Sequence, residues 1–122
     1  FKLNIVTPTS FKSNGQYMIF PDVTKIFRSI MLMFDEFNHE LNVFDVETLR
    51  FIEENVKITN YHLKSTRFHL EGIKIPSFKG SLDLHVNGPP QMVRFVRLVL
   101  VYGSLSGIGI KTSLGMGKYH LL

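Results

Sequence analysis

The sequence predicts an α+β fold of the ferredoxin-like class, in which a four-stranded antiparallel sheet carries both main helices on one face. Two observations lead to this prediction. Apolar residues recur at three- and four-residue spacing over 23–34 and 91–102, which is typical of amphipathic helices, whereas 1–6, 56–86 and 118–122 have the pattern of extended segments. The resulting order of strand, helix, strand, strand, helix and strand is that of the split βαβ unit.

The predicted helices have recognisable start signals. Pro21 and Asp22 supply the start signal of the first helix. Aspartate caps free backbone N–H groups at the beginning of a helix. Asp45 caps a shorter companion helix in the same way. A proline pair begins the last helix, which is predicted to end at Tyr102 because a glycine-rich segment follows from Gly103.

The two long central strands are predicted to form a hairpin. Glu71 and Gly72 supply its turn, and Pro76 and Gly80 predict a bulge or bend in its second strand. The first strand is expected to end or bulge at Pro8, because proline has no N–H group to donate to a sheet. In this fold the sheet face opposite the helices stays open and is a common platform for nucleic acids, although fold alone does not decide function.

Composition limits the classes of protein that the chain represents. With 44% hydrophobic content, residues 1–122 are predicted to form a single domain with one core. Cysteine is absent, which excludes disulfides and thiolate metal sites and suits a cytoplasmic protein. The longest apolar run, around 98–102, is far shorter than the roughly 20 residues that cross a membrane. The start at Phe1, without Met and with strand-like alternation, is interpreted as a cut end.

Charge is unevenly distributed along the chain. Residues 1–55 hold 5 basic and 8 acidic residues, a balance of −3, whereas residues 56–122 hold 9 basic and 2 acidic residues, a balance of +7. A basic surface favours a polyanionic partner, because phosphate contacts release condensed counterions. The alternative is a solvated face that only aids solubility.

The most informative segment lies between the last helix and the last strand. It contains two Gly-apolar-Gly units, 107–109 and 115–117, and the residues between them include Lys111, Thr112 and Ser113. Glycine permits positive φ and close approach, so successive N–H groups are expected to point outward and form a concave anion site. A flexible connection is the alternative. Two nucleotide-binding motifs are excluded, because the glycines follow a helix and no Gly-Lys-Ser/Thr run is present.

Basic residues outside this loop are further candidates for phosphate contacts. Lys64 and Arg67 lie on the predicted hairpin, and Arg94 and Arg97, three residues apart, share a face of the last helix. With the loop they complete the predicted RNA-binding set: Gly107, Gly109, Lys111, Thr112, Ser113, Gly115, Gly117, Lys118, Arg94, Arg97, Lys64 and Arg67.

The five histidines do not predict a metal site, because none forms an i, i+4 pair on a helix or stands at motif spacing from a carboxylate. Neither a metal nor a cofactor is therefore expected. His69 and His85 lie on the two strands of the predicted hairpin, where they could approach each other and act as a local acid or base. Roles as surface residues or as hydrogen-bond donors to RNA are the alternative.

The glycine spacing resembles the glycine-rich loop that marks the RAMP superfamily of CRISPR-associated proteins, and all four glycines match. Two further features carry the resemblance: segment 6–11 is followed by 20–22 and a helix, and segment 102–103 leads into the loop. Both are similar to the repeat-processing endoribonuclease branch of that superfamily. The resemblance spans nearly the whole chain, which makes it more specific than the loop alone.

The resemblance implies a protein with two ferredoxin-like domains in tandem, of which this chain is the C-terminal half. Such enzymes grip repeat RNA along basic surface at the domain junction and cut it without a metal, using the RNA's 2′-hydroxyl as nucleophile and leaving a 2′,3′-cyclic phosphate. The acid–base groups, commonly including a histidine, would lie upstream of Phe1, so no catalytic residue is assigned in this chain. The chain alone is expected to bind RNA weakly and to cut poorly or not at all.

Partners and alternatives follow from the same resemblance. The expected partners are CRISPR repeat RNA, the N-terminal domain, and either CRISPR effector subunits or a second copy, with no membrane. One alternative function is a non-catalytic RAMP subunit that packs on guide RNA in an effector complex. The other is a ferredoxin-like domain that binds a small ligand or has a regulatory role, and that oligomerises through its sheet. Salt-dependent RNA affinity separates this last function from the others, and cleavage separates the nuclease from the subunit.

Overall fold

A computed structural model describes residues 1–40 and 42–122, and it confirms the predicted α+β fold. A single turn of 3-10 helix, Thr112–Leu114, lies between the last helix and the last strand. The other elements are β1 (Lys2–Thr9), β2 (Phe11–Ser13), β3 (Gln16–Met18), α1 (Val23–Phe37), α2 (Val46–Asn55), β4 (Val56–Leu70), β5 (Ile73–Val86), α3 (Pro90–Ser106) and β6 (Tyr119–Leu121). The main sheet has four strands in the order β4-β5-β1-β6, and all neighbouring strands are antiparallel. Strands β2 and β3 pair separately.

The hydrophobic core lies between one face of the main sheet and the helices α1 and α3. In β1, Leu3 and Ile5 are buried while Lys2 and Asn4 are exposed, because alternate residues of a strand point to opposite faces. The two helices cover the face of Leu3 and Ile5, and the face of Lys2 and Asn4 is left open. The helices contribute buried residues at helical spacing: Ile26, Phe27, Ile30, Met31, Val96, Val99 and Leu100.

The predicted helix starts are confirmed. The Asp22 carboxylate accepts a hydrogen bond from the Lys25 N–H at 3.1 Å, and the Asp45 carboxylate accepts one from the Thr48 N–H at 3.2 Å. Each bond satisfies an N–H group that has no partner inside its own helix. Within residues 1–40 and 42–122, no helix is long and apolar enough to cross a membrane.

The predicted bulge in β5 is wrong. β5 pairs with β4 in continuous register past Pro76 and Gly80. The register shifts instead between Ile58 and Asn60 of β4, and between Ile5 and Thr9 of β1, which confirms the bulge expected at Pro8. Gly80 has another role. Its φ is 134°, and a side-chain carbon at this position would collide with the backbone of His62 on the neighbouring strand. Gly80 therefore lets the two strands approach closely without interrupting their pairing.

The last helix is longer than predicted, because Gly103 lies inside it. α3 continues past Tyr102 and is capped by Gly107, whose φ is 88°. Gly103 is buried, and a side-chain carbon there would collide with the Tyr119 hydroxyl and with the Ile30 side chain. Glycine is thus required at this position by the packing of α1, α3 and β6 against one another, and it does not terminate the helix.

An alanine at Gly103 is expected to lower the free energy of unfolding by about 1–3 kcal/mol, because the added carbon overpacks the contact with Tyr119 and Ile30. The sign is diagnostic, since a Gly-to-Ala change inside a helix ordinarily stabilises by about 1 kcal/mol. Chemical denaturation measures the effect. Gly88→Ala is the control, because a carbon there would lie 3.5 Å from Met92. Equal results for the two variants would contradict the packing argument.

Tyr119 is expected to make stability depend on pH in the alkaline range. Its hydroxyl donates to the Leu100 carbonyl, and burial raises the pKa of this phenol above its ordinary value of about 10. This stabilisation is fully present below the ordinary pKa and is lost as the pH rises toward the folded-state pKa, by up to about 1.4 kcal/mol per pH unit. Denaturation of the wild type and of Tyr119→Phe on both sides of pH about 10 tests this. If the free energies of unfolding of the wild type and of Tyr119→Phe change equally with pH in the alkaline range, the expectation is contradicted.

Candidate nucleic-acid interface

The loop 107–117 is fastened to β1 and α1 through its own glycine N–H groups. The Gly109 N–H donates to the Ser29 hydroxyl at 3.3 Å, and the Gly117 N–H donates to the Pro8 carbonyl at 3.1 Å. The N–H groups of the other two glycines also donate to backbone carbonyls of the chain. The glycine N–H groups are therefore used within the protein, and the outward-pointing N–H groups expected of the loop are not those of its glycines.

Close approach explains why glycine stands at both ends of the loop. A side-chain carbon at Gly109 would collide with the Ser10 carbonyl, and one at Gly117 would collide with the backbone of Ile108. Gly115 differs from them, because its φ is 100° but no described atom lies within 4 Å of the carbon that would be added. Packing and conformation thus both require glycine at the loop ends, whereas conformation alone favours it at Gly115.

The middle of the loop is exposed and carries the predicted polar residues. Lys111 has a left-handed backbone with φ of 53°, and the 3-10 turn begins with the next residue. Lys111 and Ser113 are exposed, and Thr112 is half-buried. The N–H groups of these three residues donate to no acceptor in the described ranges 1–40 and 42–122. The structure therefore brings Lys111, Thr112 and Ser113 together on one exposed tip.

Three lysines line up across neighbouring strands of the open sheet face. Lys64 and Lys79 pair directly across β4 and β5, and they line one shallow depression with Val6 of β1. The Val6 N–H donates to the Lys118 carbonyl at 2.9 Å, which places Lys118 beside Val6, just before the neighbouring strand β6 begins. Lys118 faces the open side because Tyr119, the following residue, is buried in the core. These residues form a lysine row: Lys64, Lys79 and Lys118.

A second row of polar side chains runs beside the lysine row. His62 pairs with Ser81, Ser81 with Asn4, and Asn4 with His120, so the row crosses all four strands. Strands in a sheet lie about 4.8 Å apart, which makes this row about 14 Å wide. Its side chains offer hydrogen-bond donors and acceptors without large apolar surface. The open face is therefore suited to a polar, charged strand such as a sugar–phosphate chain.

Three of the predicted contacts lie away from the lysine row and the loop. Arg94 and Arg97 stand in the N-terminal half of α3, about 20 Å and about 15 Å along the helix from Gly107. Arg97 lies over the ring of Phe1, with its guanidinium carbon 5.1 Å from the ring centroid. Arg67 points to the opposite face of β4 from the lysine row, because alternate strand residues change face. The structure does not bring these three arginines to the loop.

The two hairpin histidines do not face each other. His69 pairs with Lys74 near the turn, whereas His85 pairs with Lys57 at the far end of the same two strands. The prediction that they approach each other as a local acid–base pair is therefore wrong. The register of a hairpin is fixed by its turn, and this turn matches each histidine with a lysine.

Sequence reasoning missed a basic pocket beside the loop. Lys12 of β2 and Lys25 and Arg28 of α1 line this pocket together with Gly109 and Ile110. All three cations belong to residues 1–55. The net negative charge of this half did not suggest an anion-binding site there. The i, i+3 spacing of the two α1 cations was the available signal, because such residues share a helical face. The position of Lys12 depends on tertiary contacts that no local pattern indicates.

The split βαβ sheet, the glycine-rich loop that joins α3 to β6, and the basic open face together define a ferredoxin-like domain of the RAMP class. Within this class, comparison with known protein families identifies one family. The family model for "CRISPR-associated endoribonuclease Cas6" matches residues 3–119. The chain therefore belongs to the Cas6 family.

Two curated relatives have matching segments. The CRISPR-associated endoribonuclease Cas6 of Streptococcus thermophilus is 38% identical over 121 residues, which cover 99% of this chain and 50% of the relative. The Cas6 of Mycobacterium tuberculosis strain CDC 1551 / Oshkosh is 28% identical over 137 residues, which cover 99% of this chain and 38% of the relative. The chain thus spans about half or less of the length of these relatives.

Solved structures share the fold. A Thermus thermophilus Cas6 superposes with a TM-score of 0.85 at 20% identity and covers 99% of this chain and 52% of that one. A Cas6 product complex superposes with the same TM-score of 0.85 at 18% identity and covers 98% of this chain and 49% of that one. At these identities the likeness establishes the common fold.

Alanine substitutions at two loop glycines are expected to differ in cost. Gly115→Ala should destabilise by about 1 kcal/mol, because only a left-handed backbone opposes the side chain. Gly117→Ala should cost at least about 2 kcal/mol more, because its side chain also collides with the backbone of Ile108. Urea denaturation of both variants gives the difference. Similar losses would show that the close approach at Gly117 is not a constraint.

Proposed function

We propose that the chain is the RNA-binding C-terminal domain of a two-domain endoribonuclease that cuts precursor CRISPR RNA at its repeats. Family membership supports the reaction class, and the relatives' greater length supports a further domain. The observation that carries the proposal is the lysine row on the open face, which lies beside the loop through Lys118. Each phosphate contact along such a row releases counterions and so favours RNA.

The proposed path of the RNA follows from these two features. The strand crosses the open face along the lysine row, and the histidine and amide side chains of the neighbouring row contact its riboses and bases. It then reaches the loop tip at Lys111, where Thr112 and Ser113 supply neutral donors. The loop ends hold the tip in place, because they are bonded to β1 and α1.

The proposed reaction needs no metal. The ribose 2′-oxygen attacks the adjacent phosphorus, the bond to the 5′-oxygen breaks, and a 2′,3′-cyclic phosphate forms. A general base removes the 2′-hydroxyl proton and a general acid protonates the leaving 5′-oxygen. Both groups belong to the other domain in this proposal. The described residues hold the strand, and their positive charges stabilise the negative charge that develops on the phosphoryl oxygens.

RNA binding by this chain tests the proposal. Fluorescence anisotropy with a labelled oligoribonucleotide should give an affinity whose logarithm falls linearly with the logarithm of salt concentration. Lys64→Gln should reduce the magnitude of this slope by about 0.7, the value for the loss of one phosphate contact to single-stranded RNA. Arg50→Gln is the control, because Arg50 is exposed on α2. Affinity that does not respond to salt, or equal effects of the two variants, would argue against the lysine row.

Cleavage is tested with a protein that also contains an N-terminal half like that of the relatives. It should cut repeat RNA in the presence of EDTA and leave a 2′,3′-cyclic phosphate, which mass spectrometry identifies. Cleavage that requires a divalent metal would overturn the proposed reaction. Absence of any cleavage with intact RNA binding would favour a non-catalytic subunit.

A further inference from the structure

A small basic pocket lies where α1, β2 and the loop meet, away from the lysine row. Its volume is about 170 Å³. We infer that it binds one phosphate of the RNA backbone, an inference that rests on the proposed function. The residues that line it come from three separate parts of the chain and include Lys12, Lys25, Arg28, Ser29, Gly109 and Ile110.

Each element presents its cation to the pocket for a local reason. Lys25 and Arg28 are three residues apart on α1, so their side chains lie on one face of the helix. In β2, Phe11 is buried against the core, Lys12 is exposed, and both residues line the pocket. Three positive charges therefore converge on one pocket, which favours a ligand of negative charge.

The cationic groups are available to an anion. Among residues 1–40 and 42–122, none of the side-chain hydrogen bonds is donated by Lys12, Lys25 or Arg28. The nearby Asp22 carboxylate already accepts the backbone N–H of Lys25 as the helix cap. The Lys12 ammonium lies 5.3 Å from the centroid of the Tyr17 ring, a cation–π contact that holds it near the pocket. Arginine adds a planar pair of donors that fits two phosphate oxygens at once.

The pocket and the loop are connected by hydrogen bonds and share residues. The Ser29 hydroxyl donates to the Ile26 carbonyl at 2.9 Å and accepts the Gly109 N–H at 3.3 Å, so it joins the pocket wall to the loop. Gly109 and Ile110 form the other wall and immediately precede Lys111 at the loop tip. A strand that reaches the tip therefore has the pocket next to it.

Size and openness indicate which anion fits. Pockets that enclose a drug-sized ligand or a nucleotide are about 300–1,000 Å³ in volume, and this one is smaller, at about 170 Å³. A single phosphate group matches it better than a free nucleotide does. Since Ile110 of the pocket wall is followed directly by Lys111 at the exposed loop tip, a phosphate within a longer chain is favoured over a free ion. Its occupant is thus one phosphodiester of bound RNA.

Two exposed helical arginines give a matched test. Arg28→Gln and Arg50→Gln each remove one charge, but only Arg28 lines the pocket. Anisotropy with a labelled single-stranded oligoribonucleotide should show about tenfold weaker binding for Arg28→Gln and less than twofold for Arg50→Gln. The slope of log affinity against log salt concentration should decrease in magnitude by about 0.7 for Arg28→Gln only. Arg28→Lys should recover part of the affinity, because it keeps the charge but loses the paired donors.

A variant on another element separates binding from folding. Lys12→Gln lies on the exposed strand β2, and it should weaken RNA binding without lowering the melting temperature. Equal RNA affinities of the pocket variants and of Arg50→Gln would overturn the pocket while leaving the proposed function in place. No RNA binding by the wild type would overturn both. An acidic peptide that competes with RNA only when Arg28 is present would assign the pocket to a protein partner instead.

Discussion

Close backbone contacts that only glycine permits close the 107–117 loop on itself and hold it against the residue that follows β1. Gly109 meets the Ser10 carbonyl and Gly117 meets Ile108 at separations that leave no room for a side chain. Because these contacts fix both ends of the loop, the tip and the neighbouring pocket acquire defined positions. The placement of Lys118 on the open face follows from the same contacts, since it continues directly from Gly117.

The features that the sequence predicts well are those that local chemistry determines. Amphipathic spacing locates α1 and α3, and the caps at Asp22 and Asp45 fix where helices begin. The end of α3 was not predictable in this way. Gly103 has the usual appearance of a helix terminator, but the space beside it is occupied by Tyr119 and Ile30, which are distant in sequence. A tertiary contact there overrides the local signal.

The candidate site is predictable in part for the same reason. The loop and Lys64 were identifiable because glycine spacing and strand alternation are visible in the sequence. The positions of Arg94 and Arg97 were not predictable, because the sequence of a helix does not show which end of the fold its basic residues occupy. Lys12 was missed because summing charge over half of the chain hides a cation that tertiary structure moves next to the other half.

The division of the loop into a fixed frame and an exposed tip has a consequence for how this domain varies. The side chains of Lys111 and Ser113 are exposed and contribute little to packing, whereas Gly109 and Gly117 leave no room for a side chain. Under the proposed function, substitutions at these two exposed positions change the contacts with RNA and leave the frame of the loop in place. Directed evolution of the proposed RNA preference therefore has a starting point in these two codons.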